Sequence, residues 1–114
     1  MSTHVLKNTD THFVIQIVNE DSHTINFADA IHNTVTPTGF KIMGVFWSQA
    51  GGAGGEHIDI NRNSVTVLDL HGSGQFDFAG QYFNIDDEST SAIDIAHTNP
   101  GHHYMLILKL RKVI

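Results

Sequence analysis

The sequence predicts an all-β protein, built as an antiparallel two-sheet β-sandwich with jelly-roll-like topology and eight or nine strands. Apolar residues recur at every second position in several short segments, which is typical of half-buried strands. Clusters of turn-forming residues separate these segments at short, regular intervals. No segment has the length and period of a helix that could connect parallel strands, so the sheets are expected to be antiparallel.

The chain is expected to divide into an N-terminal arm, residues 1–11, and a single sandwich domain, residues 12–114. The arm is polar and rich in threonine, and we expect it to become ordered by docking on another surface. Residues 12–18 predict the first strand of the domain, with Phe13, Ile15 and Ile17 on one face. Residues 24–27 predict a second strand, and residues 28–32 predict a single helical turn.

The segment FKIMGVFWS, residues 40–48, is strongly apolar and predicts an interior strand. Gly44 in its middle indicates a β-bulge or a close approach of another backbone. After a glycine-rich loop at residues 51–55, the segment EHIDI predicts a strand that buries Ile58 and Ile60. The same alternation turns His57 and Asp59 towards solvent.

A β-hairpin is predicted over residues 64–80, SVTVLDLHGSGQFDFAG. The first arm is rich in β-branched residues, and Phe76 and Phe78 alternate with polar residues in the second arm. Residues 71–74, His-Gly-Ser-Gly, form the predicted connection, because glycine adopts positive φ without a steric clash.

Three further strands are predicted, at residues 82–85, 92–96 and 104–113. In the last of these, alternation places four apolar side chains on one face and the basic residues Lys109 and Arg111 on the other. The four apolar residues are Tyr104, Leu106, Leu108 and Leu110.

The composition limits the kinds of partner. The 114 residues carry a formal charge of −6 and no cysteine, so the chain repels nucleic-acid phosphates and forms neither disulfides nor thiolate metal sites. The longest apolar run is too short to cross a bilayer, and the N-terminus lacks the features of a signal peptide. We therefore expect a soluble protein that binds neither nucleic acid nor membranes.

Nine histidines make metal binding an alternative to be weighed. His57 and Asp59 lie two residues apart on one predicted strand and so point the same way. A third ligand, His97, His102 or His103, would complete a 2-His-1-carboxylate site of the non-haem iron type. The reaction would be that of a cupin-like or oxygenase-like jelly-roll enzyme, in which Arg111 resembles a co-substrate-binding arginine. The simpler interpretation is that His57 and Asp59 form the solvent-exposed side of an amphipathic strand.

A second alternative is a glycan- or receptor-binding fibre head, in which Trp47 and Tyr82 would stack on a sugar. For Trp47 the competing interpretation is a place in the core. The acidic loop at residues 86–88 is a candidate for weak calcium binding, against the simpler interpretation of a solvated loop.

Three segments together resemble the small decoration or cement proteins of tailed bacteriophages: FKIMGVFWSQAGGAGG, LDLHGSGQFDFAG and HHYMLILKLRKVI. The resemblance covers residues 40–114. It implies a non-enzymatic virion structural protein, made in the host cytoplasm and bound to the capsid surface as a homo-dimer or homo-trimer. It also implies no catalytic residue, cofactor or resident metal. The expected partner is the major capsid protein or another virion protein, and Lys109, Arg111 and Lys112 form the candidate partner-binding face.

Overall fold

Nine strands and one short 3₁₀ helix make up the part of the chain that the computed structural model describes, residues 2–19, 22–50, 57–77, 91–97 and 103–114. The strands are β1 (Ser2–Asn8), β2 (His12–Val18), β3 (Ser22–Ile25), β4 (Gly39–Ala50), β5 (His57–Arg62), β6 (Val65–His71), β7 (Gly74–Asp77), β8 (Ile93–His97) and β9 (His103–Val113). The 3₁₀ helix, Phe27–Ala30, overlaps the helical turn predicted at residues 28–32. The predicted strand at residues 82–85 lies outside the described residues.

The strands form two antiparallel sheets, which confirms the predicted two-sheet sandwich. The five-stranded sheet has the order β1-β2-β9-β4-β7, and the four-stranded sheet has the order β3-β8-β5-β6. Strand pairing is nested, because β2 pairs with β9, β3 with β8, β4 with β7, and β5 with β6. A long hairpin folded over on itself in this way has the jelly-roll topology.

The core lies between the two sheets and is built by the alternation seen in the sequence. β2 and β9 bury every second side chain, which places Phe13, Ile15 and Ile17 opposite the predicted apolar side of β9. In β5, Ile58 and Ile60 are fully buried. Each large aliphatic or aromatic side chain removed from water in this way stabilises the fold by roughly 1.5–3 kcal/mol.

The predicted N-terminal arm docks on the sandwich along most of its length. β1 pairs antiparallel with β2 from Ser2 opposite Val18 to Asn8 opposite Phe13, so it extends the five-stranded sheet at its edge. Its side chains are mostly exposed, and Val5 and Leu6 are about half accessible to solvent. Backbone hydrogen bonds are therefore the main attachment of this segment.

Gly44 combines the two features predicted for it. The register between β4 and β9 shifts between Ile42 and Gly44, as in a β-bulge. A Cβ atom at Gly44 would lie 3.1 Å from the carbonyl oxygen of Phe76 on β7, which is closer than an ordinary van der Waals contact. Glycine is favoured here because β7, which pairs beside β4 in the same sheet, places this carbonyl oxygen close to where a Cβ atom would lie.

The predicted hairpin over residues 64–80 is wrong. β6 belongs to the four-stranded sheet and β7 to the five-stranded sheet, so Gly72 and Ser73 connect two sheets. Gly74 at the start of β7 lies against the indole ring of Trp47, where an added Cβ would approach to 3.1 Å. This contact and the pairing of β7 with β4 direct the chain away from β6.

The hairpin of this region joins β5 to β6. Its two turn residues, Asn63 and Ser64, have φ of 48° and 64°, as the two central residues of a type I′ turn require. Neither is glycine, which is why the composition-based prediction placed the turn at residues 71–74.

Two of the basic residues are buried. Arg62 is inaccessible to solvent, and its guanidinium donates to the carbonyl oxygens of Phe40, at 2.6 Å, and Ser91, at 2.7 Å. Lys112 is 6% exposed, and its Nζ donates to Asn8 Oδ1 and to the carbonyl oxygen of Ala30. Lys112 therefore does not share a face with Lys109 and Arg111, contrary to the prediction, because adjacent residues of a strand point in opposite directions.

Within the described residues, no helix is long and apolar enough to cross a membrane.

Candidate functional site

Two polar surfaces stand out on the sandwich, one on the outer side of each sheet. On the four-stranded sheet, two histidines and two aspartates meet across the β5–β6 hairpin. His57 lies opposite His71, and Asp59 lies opposite Asp69. Residues directly opposite each other in antiparallel strands place their side chains on the same side of the sheet. We refer to these four residues as the His–Asp cluster.

The cluster depends on a bulge in β6. Near the turn, Arg62 pairs with Val65 and Asn61 with Thr66, but beyond the bulge Ile60 pairs with Leu68. Val67 is therefore the extra residue. If Val67 instead paired with Ile60 in a regular ladder, the register set by the turn would place His57 opposite Leu70, because a slip of one residue exchanges the two faces of a strand.

The four side chains contact one another closely. His57 Nδ1 lies 2.8 Å from Asp59 Oδ1 and 2.8 Å from Asp69 Oδ1, and His71 Nε2 lies 3.2 Å from Asp69 Oδ1. The two imidazole rings stack with centroids 5.0 Å apart. One ligand atom each from His57, Asp69 and His71 all lie within 4.8 Å of one another. This geometry brings two imidazole nitrogen atoms and one carboxylate oxygen close enough together to bind the same metal ion.

The charges of the cluster are coupled through Asp69. Partial burial on its own would raise the pKa of Asp69, but a hydrogen bond with His71, the electrostatic interaction with His57 and a hydrogen bond with Asp59 together lower this pKa. The lowered pKa favours the ionised form of Asp69. His57 Nδ1, which lies 2.8 Å from each of the two aspartates, separates their carboxyl groups.

The structure brings together His57 and Asp59 as predicted but not the histidines expected to join them. His97 points into the sandwich, where it is 6% exposed, contacts Gln49 Oε1 at 2.9 Å and stacks on Tyr104. His103 belongs to β9 in the other sheet and contacts Asn19. His102 lies outside the described residues.

Asp69 and His71 were not predicted as site residues, because the turn was predicted at residues 71–74 whereas it lies at Asn63 and Ser64. The signal that could have found them is the mirrored pattern His-x-Asp at 57–59 and Asp-x-His at 69–71. Antiparallel strands bring such mirrored patterns into register when the turn lies midway between them.

The other candidates from the sequence are placed as follows. Trp47 is 7% exposed, packs against Phe76 with ring centroids 5.4 Å apart and donates its indole N–H to the carbonyl oxygen of His71. Trp47 is therefore a core residue, and its predicted alternative role as an exposed sugar-stacking platform is wrong. Tyr82, the glycine-rich loop at 51–55 and the acidic loop at 86–88 lie outside the described residues.

The outer side of the five-stranded sheet carries the remaining basic residues. Lys109 and Arg111 point outward from β9, and the register places Lys41 opposite Arg111. Lys7 on β1 pairs with Val14, which in turn pairs with Lys109. Four of the six basic residues of the chain therefore share this surface, which we call the cationic face. Asp77 lies at its edge on β7, paired with Gly44.

Apolar side chains adjoin these charges on the same surface. Their strand partners place five residues in adjacent rows, and all five are partly or largely accessible to solvent. They are Val14, Val18, Phe46, Met105 and Ile107. Phe46, which lies opposite Ile107, is 39% exposed. The cationic face thus combines an apolar band with flanking positive charges.

No protein-family model matches the sequence, and no curated protein is significantly similar to it.

Proposed function

We propose that this protein is a non-enzymatic structural protein of a tailed-phage virion, a decoration module that binds the capsid lattice through its cationic face. The proposal joins the resemblance of residues 40–114 to phage decoration proteins with the distribution of charge on the sandwich. Its partner is an acidic, partly apolar patch of the major capsid protein. The chain acts as a homo-dimer or homo-trimer on the outer surface of the particle.

The observation that carries the proposal is the segregation of positive charge. The chain has twelve acidic and six basic residues. The two basic residues that do not lie on the cationic face, Arg62 and Lys112, are buried. Every lysine and arginine of this acidic chain that is not buried therefore lies on one face. Solubility alone does not require such an arrangement, since scattered charges serve it equally well.

The apolar band supports the same surface. Protein interfaces combine a less polar centre with a polar rim, and the band that contains Phe46, Met105 and Ile107 adjoins Lys109 and Arg111 in this way. Charge complementarity guides the encounter with an acidic partner, and burial of the band strengthens the complex.

A lattice amplifies modest contacts. An oligomer that engages several capsid subunits at once converts the second and later contacts into intramolecular events, which raises the avidity by a factor of about 10² to 10⁴. A face made of few charges and a small apolar band is sufficient under these conditions. Binding of one isolated copy is expected to be weak.

The test is co-sedimentation of the untagged protein with undecorated capsids, at low and at high salt. The variant K109Q/R111Q should bind at least about tenfold more weakly with an unchanged melting temperature, and binding of the wild type should fall as salt screens the charges. The control variant S22E/V65E changes the net charge by the same amount on the four-stranded sheet and should bind normally.

Two results would contradict the proposal. One is the absence of the wild-type protein from sedimented capsids at every salt concentration. The other is equal binding by K109Q/R111Q and the wild type. Sedimentation equilibrium of the free protein tests the oligomer separately, and a monomer at working concentration would remove the expected dimer or trimer.

A further inference from the structure

We propose that the His–Asp cluster binds one divalent transition-metal ion of the zinc class, with His57, Asp69 and His71 as its protein ligands. The site lies on the four-stranded sheet, on the side of the sandwich opposite the cationic face. It is independent of the capsid-binding proposal, because neither surface shares a residue with the other.

The first argument is the chemistry of the donor set. Two imidazoles and one carboxylate are ligands that zinc and its neighbours in the first transition series accept. Calcium and magnesium prefer sets made of oxygen alone, so the two histidines select the metal class. A fourth coordination position would be open to water, as in sites with three protein ligands.

The second argument is geometric. Ligand atoms around a tetrahedral zinc ion are separated by about 3.4 Å. Asp69 Oδ1 lies 2.8 Å from His57 Nδ1 and 3.2 Å from His71 Nε2, and the three ligand atoms are within 4.8 Å of one another. Small side-chain rotations are sufficient to open these hydrogen-bond distances to metal-ligand spacing. The three residues lie on two paired strands, which hold their backbone positions.

The third argument is the negative charge that two neighbouring aspartates can present to a cation. The register places Asp59 opposite Asp69, in an arrangement that destabilises a strand pair when both residues are charged. A metal ion bound by Asp69 supplies two positive charges at the point where the carboxylates meet. Asp59, whose Oδ1 already lies 2.8 Å from His57 Nδ1, adds negative charge beside the ion and so favours its binding.

The fourth argument is accessibility. The side chains of His57 and Asp59 are about one quarter exposed, whereas those of Asp69 and His71 are half exposed or more. A metal ion therefore reaches the cluster from solvent without any opening of the sandwich. The backbone of His71 is held in place from the core side of the sheet, because its carbonyl oxygen accepts a hydrogen bond from the indole N–H of Trp47.

The test is isothermal titration of the untagged, chelator-treated protein with zinc chloride. We expect one ion per chain, with the affinity reduced at least about tenfold in each of the variants H71N and D69N. The matched control is H32N, which removes the histidine of another surface His–Asp pair, His32 Nδ1 to Asp10 Oδ1 at 2.7 Å. H32N should bind zinc like the wild type.

A spectroscopic measurement separates lost binding from lost folding. Zinc should shift the imidazole NMR signals of His57 and His71 in the wild type, while the signals of His32 and His103 stay in place. Circular dichroism of H71N and D69N should match that of the wild type, because both positions are exposed. The proposal is overturned if zinc does not bind, if H71N and D69N retain full affinity, or if H32N loses affinity to the same extent.

Discussion

The indole Nε1 of Trp47, on the five-stranded sheet, donates a hydrogen bond of 2.9 Å to the carbonyl oxygen of His71, on the four-stranded sheet. The bond joins the two sheets at the point where β6 ends and the chain crosses towards β7. It also links the core of the sandwich to a residue of the His–Asp cluster. Stability and metal affinity are therefore expected to respond together when this bond is removed.

Trp47→Phe should lower the free energy of unfolding by about 1–3 kcal/mol, because it leaves the carbonyl oxygen of His71 without its indole donor and removes part of a buried ring. Urea denaturation followed by circular dichroism measures the loss. Phe46→Leu is the matched control, since Phe46 is 39% exposed on the outer side of the same strand. An effect of Trp47→Phe no larger than that of Phe46→Leu would show that the inter-sheet bond contributes little.

Lys112→Met should destabilise the protein by about 1–3 kcal/mol, because Asn8 Oδ1 and the carbonyl oxygen of Ala30 lose the amine that donates to them. The loss should loosen the attachment of β1, which contains Asn8. Hydrogen exchange of β1 amides, together with urea denaturation, provides the measurement. The control Lys109→Met changes an exposed lysine three positions away on the same strand and should stay within about 0.5 kcal/mol of the wild type.

The stability of the wild type should rise with alkaline pH relative to that of Lys112→Met. Burial lowers the pKa of Lys112 below its usual range, and the charge of Asp10 offsets part of this effect. Between the lowered folded-state pKa and the unfolded value of about 10.4, the unfolded chain binds more protons than the folded chain. The free energy of unfolding therefore increases with pH across this window. Urea denaturation of both proteins from pH 8 to pH 10 measures the difference, and a decrease would contradict the assigned direction of the pKa shift.

Deletion of Val67 should leave zinc affinity close to that of the wild type and destabilise the protein by about 1–3 kcal/mol. Because Val67 is the extra residue of the bulge, its removal leaves His57 opposite His71 and Asp59 opposite Asp69, while a buried side chain is lost from the core. Val67→Ala retains the extra residue and is the control. It should also leave zinc affinity unchanged, and urea denaturation measures the loss of stability in both variants. Loss of zinc binding in the deletion variant alone would mean that the irregular backbone of the bulge, and not strand pairing alone, positions the cluster.

Alternation of apolar residues was sufficient to predict the sandwich, because a strand that covers a core must bury every second side chain. It predicted the buried faces of β2, β5 and β9, and the glycine within an apolar strand predicted the anomaly at Gly44. The hairpin predicted at residues 64–80 failed, because the turn lies at Asn63 and Ser64, two non-glycine residues with positive φ, while the glycine-rich segment connects the sheets. The composition of a segment shows whether its residues can adopt a turn conformation. Tertiary contacts, such as that of Gly74 with Trp47, decide which strands pair.

The candidate site was predicted in part for the same reason. Strand periodicity placed His57 and Asp59 on the outer side of a sheet, but the choice of a third ligand required the neighbouring strand and its register. That register contains a bulge, for which Val67 gives no compositional signal. The burial of Lys112 was missed because the basic residues at the end of the chain were grouped by proximity in sequence, whereas β9 separates them by alternation.

The nested pairing of the strands has a consequence for the order of folding. β9, the last of the nine described strands in chain order, lies at the centre of the five-stranded sheet between β2 and β4. While residues 103–113 are still inside the ribosome, β2 and β4 therefore lack the strand that pairs with both of them. Closing contacts between such distant segments is slow, so the five-stranded sheet is expected to assemble only when β9 is available to pair with both β2 and β4.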